Sequence, residues 1–323
     1  MTIAVPEIAA DRFADPAQFR EIAARCEPVV VRGLVNDWPV VRAAATSPVA
    51  LRAYLLRFAS ATRAEAFVGK AGRYSYNERL DGFDFDRVDT DLADALDRIL
   101  ASADVPGAPT VYVGSLDTAQ YLPGFAAENN LGPLLSTVQP RLWIGNRSDI
   151  ACHNDTFDNI ACVVSGRRRF TLYPPQAVAD LHIGPVDFTM SGRATSLATS
   201  ASAEARATVA ELEAGDALYL PKLWWHRVEA TGSINLLVNY WWDEFSAGPD
   251  APNTAMMLAM IAIAERPPAE RAAWRALFDH YVFRPDGHPL RHIPEERHGI
   301  LGPLAVGNYG RIRAMVMQML RGG

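Results

Sequence analysis

Between about residues 110 and 242 the chain is a succession of short β-branched and aromatic runs: TVYVGS, RLWIG, IACVVSG, RRRFTLYPP, DALYLP, HRVEA and SINLLVNYWW. Gly, Pro, Asn and Asp turns separate them. Each run is too short for a stable helix and has the length of a strand. A set of many strands with almost no helix between them can bury its apolar faces only sheet against sheet, so residues 111–245 are expected to form a sandwich or barrel. The one long interruption, TMSGRATSLATSASAEARA (189–207), is small, polar and without strand periodicity, and reads as a loop with a part in specificity.

The flanks read differently. DPAQFREIAARC (15–26), SPVALRAYLLRFA (47–59) and LADALDRILASA (92–103) space their apolar residues as helices do, and PVVVRGL (28–34) reads as a buried strand. Residues 1–110 are therefore expected to be a mixed helix and strand segment packed on the β core. From about 246 to 323 the pattern is helical again, with two helices broken at Pro267-Pro268 and a last one in YGRIRAMVMQMLRGG. The stretch AMMLAMIAIA (255–264) is apolar nearly all round and needs a cover, either the chain's own core or a second copy. The fold class expected is mainly β with helices (α+β).

Composition excludes several functions. A net charge of −6 without a basic tail argues against a nucleic-acid partner. The three cysteines, Cys26, Cys152 and Cys162, are too few and too scattered for a disulfide framework or a paired-cysteine zinc site. AMMLAMIAIA is too short to span a bilayer, and MTIAVPEIAADRFADPAQF carries acidic residues where a signal peptide would be basic and then apolar. A cytoplasmic protein without a membrane partner is expected.

The chemistry is concentrated in CHNDTFDN (152–159). On an extended strand residues i and i+2 share a face, so His153 and Asp155 could reach one metal ion. That spacing alone fits a polar turn equally well, and a facial triad needs a third ligand. Of the seven histidines, only His182 and His226 lie elsewhere in the β-rich segment. His182, in ADLHIGPVD, has a loop context and reads as a surface residue. His226, in GDALYLPKLWWHRVEA, sits behind two tryptophans at the start of a strand, where either a core histidine or a rigidly held ligand fits. Two imidazoles and one carboxylate suit an oxygen-activating iron(II) centre better than catalytic zinc, which keeps fewer positions open.

Two further strands carry polar residues among core residues. In SGRRRFTLYPP, alternation places Arg168 with Phe170 and Leu172, and Arg167 with Arg169 and Thr171. If the first face is the inner one, Arg168 must meet an anion there. In SINLLVNYWW, Asn235, Leu237, Asn239 and Trp241 share a parity, so the two asparagines serve either a ligand pocket or nearby loop backbone, with the pocket favoured for Asn239.

Taken together, HND…N…SGRRRFTLYPP, GDALYLPKLWWHRVE…VNYWW and the leading PVVVRGLVNDWPVV (28–41) resemble the cupin-like JmjC family of iron(II)- and 2-oxoglutarate-dependent oxygenases. Within it they resemble most the subgroup that includes the asparaginyl hydroxylase of hypoxia-inducible factor. The resemblance covers most of residues 28–242. It implies a double-stranded β-helix, the jelly roll of cupins, with His153, Asp155 and His226 as iron ligands. It implies 2-oxoglutarate as co-substrate, with Arg168 where the family commonly has a lysine for the distal carboxylate, and Tyr112, Asn159 and Asn239 lining the same pocket. Ile150 stands where relatives often have a threonine that helps bind 2-oxoglutarate. The implied activity is hydroxylation of a C–H bond with O2, on a protein or peptide side chain or a small molecule. Homodimerisation through the C-terminal helices is a further implication.

Overall fold

The computed structural model describes residues 3–70, 72–186, 194–243, 250–304 and 307–321. Eight consecutive strands form its centre: β1 (Pro140–Gly145), β2 (Ser148–Asn154), β3 (Asp158–Ser165), β4 (Arg168–Tyr173), β5 (Thr208–Leu212), β6 (Ala217–Leu220), β7 (Trp225–Ala230) and β8 (Asn235–Trp242). They divide between two sheets, alternating except that β4 and β5 share one, in the orders β5-β4-β7-β2 and β6-β3-β8-β1. Neighbours within each order run antiparallel. This arrangement is the double-stranded β-helix that the family resemblance implies, a jelly-roll core.

Both sheets are widened by the segment before residue 110 and the strand that follows it. Ile3–Ala4 joins β5, and Arg73–Tyr74 joins β2, each in parallel. The second sheet gains Val29–Val31 and Glu7–Ile8 beside β6, and Thr110–Asp117, Ala64–Gly69 and Phe85–Thr90 beside β1. Residues 1–243 are thus one compact unit, and residues 244–323 form another.

The sequence of β3 shows why the larger sheet sits in the middle. Ala161 and Val163 pack against Phe170, Leu172 and Val228 of the other sheet. Ile160, Cys162 and Val164 face the opposite way, into a core built with the N-terminal helices. With both faces covered, the strand reads as a continuous apolar run and not as an alternation. Each fully buried valine there contributes roughly 1.5–3 kcal/mol.

The covering helices start where the sequence says. Asp15 accepts hydrogen bonds from the backbone N–H of Ala17 and Gln18 ahead of Pro16–Ala23, and Ser47 accepts from Ala50 ahead of Pro48–Leu56. In both, proline occupies the first turn, where no N–H is needed. Asp91 caps Leu92–Ser102 in the same way through Asp94 N–H. A helix over Pro39–Thr46 begins in the last residues of the segment (28–41) read only as a lead-in to the family resemblance and runs past its end. Within the expected 189–207 loop, residues 189–193 lie outside the described residues, Ala201–Ala205 forms a short helix, and Thr195 pairs with His153 as an isolated bridge. The second unit holds helices Pro252–Ile263, Pro268–Phe278 and Asn308–Arg321.

Candidate metal centre

β2 and β7 are hydrogen-bonded neighbours, and their register sets His153 directly across from His226. A bulge follows at once, between His226 and Val228, as is common where a sheet re-aims a side chain beside a site. Asp155 lies just past the end of β2, and its carbonyl accepts the N–H of Leu223 at 2.7 Å, tying the two ligand-bearing loops together. One ligand atom from each of His153, Asp155 and His226 falls within 4.8 Å of the others.

The ring tautomers follow from the hydrogen bonds. His153 Nδ1 lies 2.8 Å from the Ala151 carbonyl and His226 Nδ1 lies 3.0 Å from that of Trp224. A carbonyl only accepts, so both Nδ1 atoms carry the proton and both Nε2 atoms keep a free lone pair. That is the arrangement of imidazoles prepared for a metal. His226 is buried, which with the nearby His153 ring pushes its pKa down to about 4 despite Asp155. The 3.7 Å approach of His226 Nε2 to Asp155 is therefore not an ion pair at neutral pH. It is an acceptor facing an acceptor, a geometry that calls for a cation between them. Cys152 takes no part; burial lifts its thiol to about 12 and leaves it an un-ionised core residue. His182 is exposed and is not one of the residues whose ligand atoms meet here.

The same cavity, about 250 Å³ in volume, is lined by His153, Asp155 and His226 and by Arg168, Asn159 and Asn239 among others. It is small for a ligand pocket, which suits a compact molecule. Arg168 shares a face with Phe170 and Leu172, as the alternation predicts; that face is the inner one, and only 3% of the Arg168 surface is exposed. Its Nε–H is buried without an acceptor. Burial lowers its pKa and the adjacent Tyr112 hydroxyl partly opposes that. Arg167 and Arg169 instead pair with Glu213 and Glu211 on the outer surface. Tyr112 is buried and stacks on Trp143 at 6.3 Å.

Asn235 and Asn239 part company despite their shared parity. Asn235 serves loop backbone, donating to the carbonyls of Gly232 and Asn146 and accepting from Gly232 N–H. Gly166, at φ +76°, makes room for it: a Cβ there would lie 2.1 Å from Asn235 Oδ1. Asn239 bonds with Asn159 and Trp143 in the cavity wall.

The description "Cupin-like domain" fits residues 16–248. The chain belongs to that family. Among curated relatives, this cupin-like protein is 31% identical over 110 residues to the HSPB1-associated protein 1 homolog of Danio rerio, covering 31% of this chain and 24% of that one. It is 32% identical over 99 residues to the lysine-specific demethylase JMJ31 of Arabidopsis thaliana, covering 28% of this chain and 18% of that one. It is 26% identical over 136 residues to tRNA wybutosine-synthesizing protein 4 of Gibberella zeae, covering 40% and 13% respectively. The matches span at most 24% of the length of these relatives. The likenesses support the JmjC-like cupin family at large and not the asparaginyl-hydroxylase subgroup.

Several lining residues of this cupin-like protein carry no signal in their own segments. Phe67, Tyr74 and Phe85 wall the cavity from N-terminal strands. Trp143 and Trp241 wall it from β1 and β8. Their only trace in the sequence is an aromatic residue on a strand, which core packing explains equally well. No helix among the described residues is long and apolar enough to cross a membrane.

Proposed function

We propose that this protein is an iron(II)- and 2-oxoglutarate-dependent dioxygenase that hydroxylates a C–H bond. The observation that carries the reading is Arg168: a buried guanidinium with an unanswered donor, in one small cavity with two imidazoles and a carboxylate. A cation site and an anion site sharing a cavity fit a chelating dicarboxylate better than either fits alone.

The donor set fits the metal. His153 Nε2, His226 Nε2 and the Asp155 carboxylate would hold iron(II) as the two-histidine, one-carboxylate triad that leaves positions open. When bound, iron and 2-oxoglutarate supply the oxidising chemistry that activates O2, yielding succinate and carbon dioxide beside the hydroxylated product. The chain's own residues position and exclude. Arg168 offers a two-pronged donor to the distal carboxylate. Tyr112 stands beside it, and Asn159 and Asn239 provide polar wall. Phe67, Tyr74, Phe85 and Trp143 keep water from the reacting centre.

The substrate we assign is a protein or peptide side chain. The net charge of −6 favours that over RNA, though one relative's name concerns tRNA and another's a lysine demethylase. A metal-binding module without turnover is the second reading, favoured by Ile150, which lines the cavity and has no hydroxyl to offer a carboxylate. We also assign pairing of two chains to the helical unit, whose Met256, Met257, Met260 and Ile261 are exposed.

The test is anaerobic titration of the iron(II)-loaded protein with 2-oxoglutarate, followed by visible absorption. A charge-transfer band that disappears in His226→Ala supports the oxygenase. Bound iron with no band favours the module.

A further inference from the structure

We propose that Trp143 is a positioning residue that fixes which atoms of two cavity asparagines face the ligand. A carboxamide has an accepting and a donating end, and an asparagine pair can satisfy itself in either sense. An indole N–H only donates. Trp143 Nε1 lies 2.6 Å from Asn239 Oδ1, so that end of Asn239 is the oxygen. Its NH2 then turns to Asn159 Oδ1 at 3.1 Å. Asn159 is left with its NH2 for the cavity it lines, and no described residue accepts from that nitrogen. One donor at the start of the chain thus makes the last group a donor too, directed at an anion.

The indole is held to this duty. It stacks on Tyr112 with ring planes 30° apart and meets Trp241 edge-on at 5.5 Å and 74°. Gly114 passes beneath it, where a Cβ would lie 2.9 Å from ring carbons Cε3 and Cζ3. Core packing alone does not explain the buried amide pair, since an apolar pair would fill β3 and β8 at no polar cost. The identity of the anion, a carboxylate of 2-oxoglutarate, rests on the oxygenase reading; the direction of the amide chain does not.

The experiment uses the full chain, wild type and Trp143→Phe, and has two arms. The first follows exchange with water of the side-chain amide protons of Asn159 and Asn239 by nitrogen-15 NMR on metal-free protein. The expected wild-type pattern is a protected Asn239 NH2 and a freely exchanging Asn159 NH2; in Trp143→Phe the Asn239 protection falls. The second is calorimetric binding of 2-oxoglutarate to protein loaded with zinc, which cannot turn over. Loss of one charge-assisted donor weakens binding about tenfold or more in Trp143→Phe. Should that variant not fold, Asn239→Asp replaces it. The introduced carboxylate accepts from both sides and turns the Asn159 oxygen to the cavity, which again weakens binding at least tenfold by the same loss. A protected Asn159 with an exchanging Asn239 in the wild type overturns the proposal, as does unaltered exchange and affinity in a folded variant. Wild-type protein that binds no 2-oxoglutarate sinks the co-substrate reading, and the exchange pattern then decides the orientation by itself.

Discussion

Replacing Arg168 with leucine separates what that residue does for binding from what it costs the fold. The guanidinium is 3% exposed, its Nε–H has no acceptor, and burial lowers its pKa. Holding a cation away from water without a partner is unfavourable by several kcal/mol per ion even after relaxation. Leucine on the Phe170 and Leu172 face removes that penalty but forfeits part of the packing made by the arginine stem. The net expected is a gain of about 1–3 kcal/mol in the stability of the metal-free protein. At about 2–4 °C per kcal/mol for a unit of this size, the melting temperature rises by several degrees. Binding moves the other way. Two charge-assisted hydrogen bonds of about 1.5–3 kcal/mol each are lost, which is about 10²–10⁴ in affinity for 2-oxoglutarate. Urea unfolding without metal and calorimetry with zinc-loaded protein measure the two effects on the same preparations. A variant that is destabilised by more than about 2 kcal/mol and still binds 2-oxoglutarate would falsify the reasoning, because Arg168 would then be a structural residue whose charge is answered inside the fold.

Three other outcomes are expected. Zinc or cobalt(II) at about a hundred times its dissociation constant stabilises wild type by about 2.7 kcal/mol in a thermal melt; Asp155→Ala and His226→Ala lose that shift, and its survival in either would remove that residue from the metal site. Ile150→Thr places a hydroxyl on the cavity wall and tightens 2-oxoglutarate binding by up to about tenfold, one hydrogen bond's worth; unchanged calorimetric affinity would mean that the position does not face the co-substrate. Met257→Glu with Ile261→Glu, both on the exposed apolar helix, shifts wild-type dimers toward monomer in sedimentation velocity; a wild-type chain that sediments as a monomer dismisses pairing by this helix.

The parts legible in the sequence are those whose physics is local. The grouping of Arg168 with Phe170 and Leu172 follows from the two-residue period of a strand, whereas the turning of that face inward was set by pairing with β5 and β7. Helix starts at Asp15-Pro16, Ser47-Pro48 and Asp91 are similarly local, since each cap bonds within three residues of itself. The strand Ala64–Gly69 was not legible: AEAFVG carries too little pattern, and its place beside Phe85–Thr90 and Thr110–Asp117 depends on pairing across the chain.

The sequence by itself determined a sandwich or barrel of short strands and the residue types of a metal centre, because strand period, turn chemistry and ligand identity are written in short segments, while the jelly-roll topology was only what the family resemblance implied. Tertiary structure alone decided that His226 faces His153 with both Nε2 atoms free, and that Asn239 turns to the cavity while Asn235 turns to a loop. Both asparagines have the same parity and the same chemistry. What separates them is register across strands and the space left by Gly166 and Gly114, which only the paired sheets define.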